Sequence, residues 1–450
     1  MPSSREHPPS QPPGLPRGDR LPHVVATPPG GRSREISAGL ERYLAPGIST
    51  VVSGHPSLVW EEAVGANVQD VDGNVFVDLT SGFGVAAIGH RRPEVTAAVA
   101  RQADRLLHAL GDVAAHPDRL ALARRLSELA PVVAPGDDEP QVFFAVSGAD
   151  AVEVALKTAL AATGRPGVVA FDPGYHGLSP GALAASSRPE FRAPFSAHLH
   201  PHVERFAFGG PLGALAARLE RRDVGAVIFE PVVGREGVLL PPEGWLAELA
   251  AVARRSGALL IADEIFTGFG RTGHRFAVEA EGVLPDLLCC GKALGGGLPI
   301  AAVLGRRSLF SVWRTPGEAL HTATFVAHPL ACAAALAALD VLDAERLAER
   351  ARTLGEGLIG PRLAAWPERF AAVRAVRGRG MLWGIELATP GAAKDLVSGA
   401  LGRGVLLLAG GPAGTVAQIA PPLSIAEPQL TAALEILESV LATTRAEGAP

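Results

Sequence analysis

Short apolar runs alternate with helical segments through the middle of this chain. Between the runs, Ala149–Ala162 and Trp245–Ser256 place their apolar residues at the spacing of an amphipathic helix. Strands that are apolar throughout and are separated by helices are typical of a mostly parallel sheet with helices on both faces. The pattern therefore predicts an α/β fold. The predicted strands are Val142–Val146, Gly167–Phe171, Val224–Phe229, Ala258–Ala262, Leu284–Cys290 and Ala301–Leu304.

Smaller strand patterns flank this region on both sides. Val and Leu residues within Trp60–Thr80 surround the turn Asp72-Gly73-Asn74, which predicts a β-hairpin. Helical periodicity extends from about Arg92 to Leu129. Beyond Leu330, a long Ala/Leu helix opens a C-terminal region that also contains strand patterns. These lie at Gly380–Leu387 and Val405–Leu408.

We predict four segments along the 450 residues. Residues 1–34 contain nine prolines among Ser, Gly and Arg and have little to bury, so they are predicted to form a disordered tail. Residues 91–330 hold the alternating pattern and form the large domain. Residues 35–90 and 331–446 are predicted to form one smaller domain from the two ends of the chain.

Composition indicates a globular protein without a nucleic-acid or membrane partner. Hydrophobic residues make up 48% of the chain and charged residues 19%, and the net charge is only −5. Three cysteines, two of them adjacent, suit neither a disulfide framework nor a zinc site, and no other metal site is expected. No segment resembles a secretion signal, and none offers an uninterrupted run of about 18 apolar residues. We therefore expect a cytoplasmic location.

Polar groups follow three of the predicted strands, at the sheet edge where α/β proteins bind ligands. The turn Ser147-Gly148-Ala149 begins a helix, so its N–H groups can face an anion, although any strand-to-helix turn favours Ser and Gly. Asp263 follows the apolar strand Ala258–Ala262, where a buried carboxylate needs a partner; an ordinary capping aspartate is the alternative. Lys292 lies just before three consecutive glycines.

Lys292 is one of three lysines in a chain with 38 arginines. An arginine cannot lose its proton near neutral pH, whereas a lysine amine can lose it and attack a carbonyl. A surface lysine on a flexible loop is the alternative interpretation. An anion-binding turn, a buried aspartate and an amine at neighbouring strand ends are together the groups that a pyridoxal phosphate enzyme requires.

Motifs spread over the chain carry a resemblance to a known family. They are Phe143–Glu153, Tyr175–Gly177, Glu230-Pro231, Asp263–Gly273, Pro285-Asp286, Gly291–Pro299, His321–Phe325 and Val376–Gly380. From about Leu58 to the C-terminus, the chain resembles the class III aminotransferases of the fold-type I pyridoxal phosphate superfamily, which include ornithine, acetylornithine and 4-aminobutyrate aminotransferases. The resemblance implies a large domain with a mostly parallel seven-stranded sheet and a smaller α+β domain built from N- and C-terminal segments.

The resemblance also implies a pyridoxal 5'-phosphate cofactor and a role for each matching residue. Lys292 would form a Schiff base with the cofactor aldehyde and then move a proton between the substrate carbon and the cofactor. Asp263 would keep the ring nitrogen protonated, so that the ring can accept electrons. Ile265 would pack against one ring face and Tyr175 would stack on the other.

The phosphate would lie at the turn beginning with Ser147 and bind the backbone N–H groups of Gly148 and Ala149. Thr324 of a second subunit would reach the same phosphate, which implies a homodimer with shared active sites. Glu230 would lie near the cofactor ring. The reaction would be a ping-pong transfer of an amino group from an amine or amino acid to a keto acid, aldehyde or ketone.

Three positions depart from the family pattern. Phe266 replaces a glutamine that contacts the ring oxygen of the cofactor, and a phenylalanine cannot hydrogen-bond. Relatives pair a glutamate with an arginine that binds the α-carboxylate of glutamate or 2-oxoglutarate, and here Arg235 and Gln418 stand at those positions. An alignment shifted by one residue would instead place Glu236 at the glutamate position. Together with Phe83, Arg235 and Gln418 are the candidate substrate-contacting residues.

The loss of both members of this pair predicts a substrate whose reacting end has no carboxylate at the usual anchor. Arg235 could supply an anchor from the opposite side, so amino acid donors stay open. An aminomutase or racemase of the same family is the alternative function. A P-loop is not indicated, because Ala293 follows Lys292 where a P-loop needs Ser or Thr.

Overall fold

The computed structural model describes residues 18–47, 56–133, 136, 138–314 and 316–445. In these residues the strands are β1 (Trp60–Val64), β2 (Asn67–Asp70), β3 (Val75–Asp78), β4 (Pro140–Ala145), β5 (Gly167–Asp172), β6 (Val203–Ala207), β7 (Val224–Phe229), β8 (Leu259–Asp263), β9 (Leu287–Cys290), β10 (Ala301–Arg306), β11 (Val373–Arg379), β12 (Leu382–Leu387), β13 (Val405–Leu406), β14 (Leu408–Gly410) and β15 (Val416–Ile419). They form three sheets.

The α-helices surround these sheets. They are α1 (Gly31–Tyr43), α2 (Ser81–Gly84), α3 (Pro93–Ala103), α4 (Pro117–Leu129), α5 (Gly148–Thr163), α6 (Pro180–Ala185), α7 (Pro189–Arg192), α8 (Gly213–Leu219), α9 (Trp245–Ser256), α10 (Arg307–Phe310), α11 (Pro329–Ala344), α12 (Leu347–Leu354), α13 (Gly360–Ala364), α14 (Trp366–Arg369), α15 (Pro390–Leu401) and α16 (Glu427–Leu441). In the part of the chain that the structure describes, each helix is too short or too polar to span a bilayer.

Seven strands form the central sheet, in the order β4-β10-β9-β8-β7-β5-β6. β10 is antiparallel to β4 and β9, and the other neighbours are parallel, which confirms the mostly parallel seven-stranded sheet. Ile228 of β7 packs in the hydrophobic cluster that includes α5, whereas Val227 packs in the larger cluster that includes α9. Because successive side chains face opposite sides and both sides are buried, β7 is apolar throughout.

The segments before and after the central sheet meet in a second sheet, ordered β1-β2-β3-β13. β2 and β3 form the predicted hairpin, and β13 pairs in parallel with β3 although it lies far along the chain. The third sheet, β11-β12-β15-β14, is antiparallel. This arrangement confirms a smaller α+β unit built from both ends of the chain. The segment boundaries 35–90, 91–330 and 331–446 stay a prediction.

The predicted disordered tail is wrong for residues 18–34. Residues from Gly31 onward form α1, and the His23 N–H donates a hydrogen bond to the Val75 carbonyl at 2.8 Å. The side chain of Asn67 accepts a hydrogen bond from the Arg20 N–H at 2.8 Å. This polar segment is ordered because its backbone groups bind the second sheet, which composition does not reveal. Residues 1–17 lie outside the described part of the chain.

Two further details differ from the sequence pattern. The predicted helical stretch from Arg92 to Leu129 is two helices, and Pro117 begins the second one, where its missing N–H leaves no hydrogen bond unmade. The pattern also does not predict β6, β11 or β15. Residues of β6 are half-buried or exposed at the edge of the sheet, so their polar side chains hide the strand signal.

Candidate functional site

The candidate residues follow strands that end at one edge of the central sheet. β4, β5, β7, β8 and β9 run in the same direction, because β4 and β9 are both antiparallel to β10 and the others are parallel to β9. The residues after their carboxyl ends therefore gather at one edge. These residues are Ser147, Tyr175, Glu230, Asp263 and Lys292.

Asp263 is buried at the end of β8 and is paired with His176. Its Oδ2 lies 2.7 Å from Nδ1 of His176, and its Oδ1 accepts a hydrogen bond from the Ile265 N–H at 3.1 Å. Burial opposes a charged imidazole, but the hydrogen bond and the negative charge of Asp263 outweigh it and raise the pKa of His176. A carboxylate has about four lone-pair sites, so Asp263 can accept a further N–H donor.

Glu230 follows β7 and is also buried. Its carboxylate accepts hydrogen bonds from the Tyr175 N–H at 2.8 Å and from the Gly234 N–H at 3.0 Å. Burial, with a further contribution from the charge of Asp263, raises the pKa of Glu230 to about 7. Glu230 thereby joins the loop of Tyr175 to the loop that carries Arg235.

Lys292 begins a short 3₁₀ helix, Lys292–Gly295, directly after β9. Its φ of 42° is uncommon for a residue other than glycine, and its side chain is half-buried. The Nζ atom lies 4.1 Å from the centre of the Phe266 ring. Burial lowers the pKa of Lys292 from 10.5 to about 8, although the charges of Asp263 and Glu230 act in the opposite direction.

The turn at Ser147 begins α5. The Ser147 hydroxyl caps the helix by accepting a hydrogen bond from the Asp150 N–H at 3.2 Å. The first N–H groups of the helix, including those of Gly148 and Ala149, have no partner within the helix, and the helix dipole favours an anion there. A Cβ atom at Gly148 would lie 3.0 Å from Cγ2 of Ile265. Glycine therefore lets Ile265 lie directly against the turn.

Phe266 packs beside the amine of Lys292. A Cβ atom at Gly84 or at Gly234 would lie 2.5 Å or 2.2 Å from atoms of the Phe266 ring, so two glycines leave room for this ring. Phe83, which precedes Gly84, has a φ of 61° and a side chain that is 69% exposed. The structure therefore places Phe266 at the amine and the side chain of Phe83 at the surface of an adjoining loop.

Arg235 and Gln418 lie in contact. The Nε2 atom of Gln418 donates hydrogen bonds to the carbonyls of Gly234 and Arg235, at 2.9 Å and 3.1 Å. The guanidinium carbon of Arg235 lies 4.4 Å from the centre of the Tyr175 ring. The structure thus brings two of the three candidate substrate residues, Arg235 and Gln418, to the loop that Glu230 joins to Tyr175.

Glu236, the alternative residue in a shifted alignment, has a different neighbour. It is buried, and both of its carboxylate oxygens accept hydrogen bonds from Nε of Arg188, at 2.8 Å and 2.9 Å. Arg188 also donates to the carbonyl of Gly411 at 2.9 Å. The Arg188–Glu236 pair therefore joins three loops, and Arg235 is the residue that lies against Tyr175.

Thr324 is exposed in the segment before α11. A Cβ atom at Gly111 would lie 3.2 Å from the Thr324 carbonyl oxygen, so these two loops are in contact. His321, three residues earlier, lies 2.9 Å from a carboxylate oxygen of Asp150 in α5. Among the described contacts of this single chain, Thr324 does not reach the turn at Ser147.

Two buried residues near the site were not assigned a role from the sequence. His176 lies within the motif Tyr175–Gly177, but its partner Asp263 is 87 residues away, and the sequence gives no sign of the pairing. Arg271 donates hydrogen bonds to the Met381 carbonyl and the Ser81 hydroxyl, each at 3.2 Å. Burial lowers the pKa of Arg271 to about 10. It joins the loop after β8 to both smaller sheets.

Comparison with known proteins identifies the family. The family model described as "Aminotransferase class-III" matches residues 48–441. The chain belongs to the class III aminotransferase family. An acetylornithine aminotransferase from Methanopyrus kandleri is 41% identical over 377 residues, which are 84% of this chain and 92% of that relative.

Solved structures agree with this assignment. An ornithine aminotransferase from Toxoplasma gondii ME49 superposes with a TM-score of 0.83 and 30% identity, covering 91% of this chain and 95% of that one. An amine transaminase from an uncultivated Pseudomonas species, in its PLP-bound form, superposes with a TM-score of 0.80 and 30% identity, covering 90% and 99%. These relatives confirm the fold and a pyridoxal-phosphate-dependent transamination, and they do not favour the aminomutase or racemase alternative.

The residues of this class III aminotransferase fit pyridoxal phosphate. Asp263 has acceptor capacity for a protonated ring nitrogen, and the first turn of α5 offers N–H groups to a phosphate. The lowered pKa of Lys292 makes a neutral amine available for an aldehyde. Phe266 offers no hydrogen bond to a ring oxygen, so this chain must hold the cofactor without that contact.

The pKa of Lys292 predicts how covalent capture of pyridoxal phosphate depends on pH. Only the neutral amine attacks an aldehyde, and burial lowers the pKa of Lys292 to about 8. Below that value the capture rate of cofactor-free protein should rise about tenfold per pH unit, and it should level off above about pH 8. Borohydride trapping followed by quantification of the peptide containing residue 292 measures this rate. A rate that still rises tenfold per unit from pH 8 to 10 would contradict it.

Proposed function

We propose that this class III aminotransferase uses Lys292 and Asp263 as its catalytic residues, and that its carbonyl substrate has no carboxylate at the usual α-carboxylate anchor. Gln418 is the observation that carries the second part. It occupies the position where the resembling enzymes carry arginine, and its amide donates hydrogen bonds to two loop carbonyls. A neutral amide engaged by the backbone is a poor anchor for a carboxylate compared with an arginine. Aldehydes and ketones are therefore the acceptors that this site favours.

Asp263, His176 and Lys292 have different roles in the proposed transamination. When bound, pyridoxal phosphate supplies an electron sink for the charge that develops on the substrate carbon. Asp263 holds a proton at the ring nitrogen, and His176 stabilises Asp263 in its charged form. Nζ of Lys292 accepts the proton from the substrate carbon that bears the amino group, and it would return this proton to the cofactor carbon that carries the aldehyde. Asp263 and His176 are buried, which keeps water away from this pair.

Three further groups hold the cofactor in place. The turn of Ser147, Gly148 and Ala149 binds phosphate through N–H groups, as proposed from its position at the start of α5. Ile265 lies against this turn and packs on the ring. Tyr175, whose N–H is fixed by Glu230, stacks on the other face.

We also propose a homodimer in which Thr324 completes the phosphate site of the other subunit. Thr324 is exposed, and large apolar side chains are exposed in the same segment and in the segment around Gly111. These side chains are Leu107, Leu110, Val113, Leu320 and Phe325, each more than 60% exposed in a single chain. Such a surface is typical of a subunit interface. A monomeric mass in sedimentation experiments on the holoenzyme would contradict this proposal.

A cytoplasmic location belongs to the same proposal. Cys289, Cys290 and Cys332 are buried free thiols, which suits a reducing compartment. Recovery of the native enzyme in a secreted or periplasmic fraction would contradict it.

Acceptor specificity tests the proposed substrate class. We expect 2-oxoglutarate to be a poor acceptor beside aldehydes and ketones, and Gln418→Arg to raise its kcat/KM by about tenfold or more, because a charge-assisted hydrogen bond contributes roughly 1.5–3 kcal/mol. Gln418→Glu is the matched control of similar size and opposite charge, and it should bring no improvement. If 2-oxoglutarate were the best acceptor by a wide margin and Gln418→Arg changed nothing, the proposal would be wrong.

A further inference from the structure

One corner of the site has more positive than negative charge. Arg188 and Arg235 both lie beside the ring of Phe191, with guanidinium carbons 5.6 Å and 5.2 Å from its centre. Of the two acids nearby, Glu236 is bound by Nε of Arg188 through both of its oxygens, and Glu230 accepts hydrogen bonds from the N–H groups of Tyr175 and Gly234. The charge of Arg188 is therefore balanced by Glu236, whereas Arg235 has no ion-pair partner among the described residues.

Arg235 itself lies between two aromatic rings. Its guanidinium carbon is 4.4 Å from the centre of Tyr175 and 5.2 Å from the centre of Phe191. Among the ion pairs formed by the described residues, none involves Arg235, although its side chain is half-buried. Stacking orients a guanidinium and leaves the N–H groups at its edge available to bind an oxygen anion.

The backbone at Arg235 is held from several sides. Its carbonyl accepts hydrogen bonds from Gln418 Nε2 and from the Gly411 N–H, both at 3.1 Å. The N–H of the preceding Gly234 donates to Glu230 at 3.0 Å. These hydrogen bonds fix the loop that carries Arg235. A cation on a fixed loop binds its ligand with a smaller loss of conformational entropy than a cation on a mobile loop.

The charge of Arg235 also reaches the reacting amine. It is one of the positive charges that act to lower the pKa of Lys292, after burial as the main cause. The geometry agrees, because the loop that carries Arg235 and the amine of Lys292 both pack against Phe266: a Cβ atom at Gly234 would lie 2.2 Å from its ring, and Nζ of Lys292 lies 4.1 Å from the ring centre.

We propose that Arg235 is a specificity-determining residue that binds a carboxylate carried by the amino donor at a position separate from its reacting carbon. This inference rests on the proposed function, in which the reacting end has no carboxylate at the usual anchor. The donors of this enzyme are then amino acids whose amino group lies on a carbon remote from the acid. The planar fork of arginine matches the two oxygens of a carboxylate.

Matched pairs of donors test this inference on the holoenzyme. Each pair has one ω-amino acid and the amine that lacks its carboxylate: 3-aminopropanoate and ethylamine, 4-aminobutyrate and propylamine, 5-aminopentanoate and butylamine, and 6-aminohexanoate and pentylamine. We expect the acid to exceed its amine in kcat/KM by about tenfold or more for at least one chain length. In Arg235→Gln this ratio should fall about tenfold or more, and Arg235→Lys should retain part of it. Arg374→Gln, at an exposed arginine, should leave the ratio unchanged.

Binding without turnover separates this inference from the proposed function. Propanoate, butanoate, pentanoate and hexanoate lack the amino group, and calorimetric titration of the holoenzyme measures their Kd directly. We expect at least one of them to bind wild type about tenfold or more tightly than Arg235→Gln. Equal binding by the two proteins, no binding to wild type, or an acid-to-amine ratio that survives Arg235→Gln would each overturn the role of Arg235. Failure of every donor to convert the bound cofactor would instead contradict the proposed function.

Discussion

Lys292→Ala should reduce transamination by at least about 10⁴-fold, because it removes both the amine that binds the cofactor aldehyde and the base that moves the proton. The environment of Lys292 supports this role. Burial lowers its pKa to about 8, and its amine lies 4.1 Å from the centre of the Phe266 ring. Steady-state rates and the absorbance of the bound cofactor measure the effect. We expect the variant to retain the cofactor without a covalent bond, since the groups that hold the ring and the phosphate are intact.

The low lysine content makes the control simple. The other two lysines, Lys157 and Lys394, are exposed in the structure. Lys394→Ala should therefore leave the rate within about twofold of wild type. After borohydride reduction, the cofactor label should be found on the peptide containing residue 292. A label at Lys157 or Lys394, or a Lys292→Ala variant with wild-type activity, would contradict the assignment.

Asp263→Asn should have the second largest effect, a loss of about 10²–10³-fold in kcat/KM. The substitution keeps the shape of the side chain but removes the negative charge that holds a proton on the ring nitrogen. Loss of one preorganised electrostatic contact in an active site costs about 2.7–4 kcal/mol of transition-state stabilisation, and each 1.36 kcal/mol corresponds to a factor of about ten in rate. The pKa of His176 should fall at the same time, because the Asp263 carboxylate that raises it is gone. Kinetics and the titration of His176 by NMR measure the two effects.

The adjacent Glu264 is a matched control. Glu264 lies at the start of the loop after β8 and is buried like Asp263. Its carboxylate accepts hydrogen bonds from the hydroxyl of Thr267 and from the N–H of Val278. Burial raises its pKa to about 7, so a glutamine resembles its protonated form. Glu264→Gln should lower the free energy of unfolding by about 1–3 kcal/mol and leave kcat/KM of the folded enzyme within a few fold. Equal losses of activity in both variants would show that the effect of Asp263→Asn is structural.

The strand-and-helix order and the location of the proposed catalytic residues could be predicted from the sequence. β7 was predicted with the observed bounds, since a strand buried on both faces is apolar at every position. Asp263 and Lys292 were predicted to meet because each directly follows a strand of a parallel sheet, and such strands end at one edge. The same pattern failed at residues 18–34, whose order comes from hydrogen bonds to the second sheet rather than from buried apolar side chains.

The pairing of the site residues was decided only by the tertiary structure. His176 with Asp263, Arg188 with Glu236, and Gln418 with the carbonyl of Gly234 are separated by 87, 48 and 184 positions in the chain. Hydrophobic periodicity and turn chemistry act over a few residues, so they reveal a strand, a helix start or a candidate side chain. The partner of a buried charge is chosen instead by which loops the packed sheet brings within hydrogen-bonding distance. For that reason the proposed reacting amine and acid could be found in the sequence, whereas the available charge of Arg235 became visible only after folding paired Glu236 with Arg188.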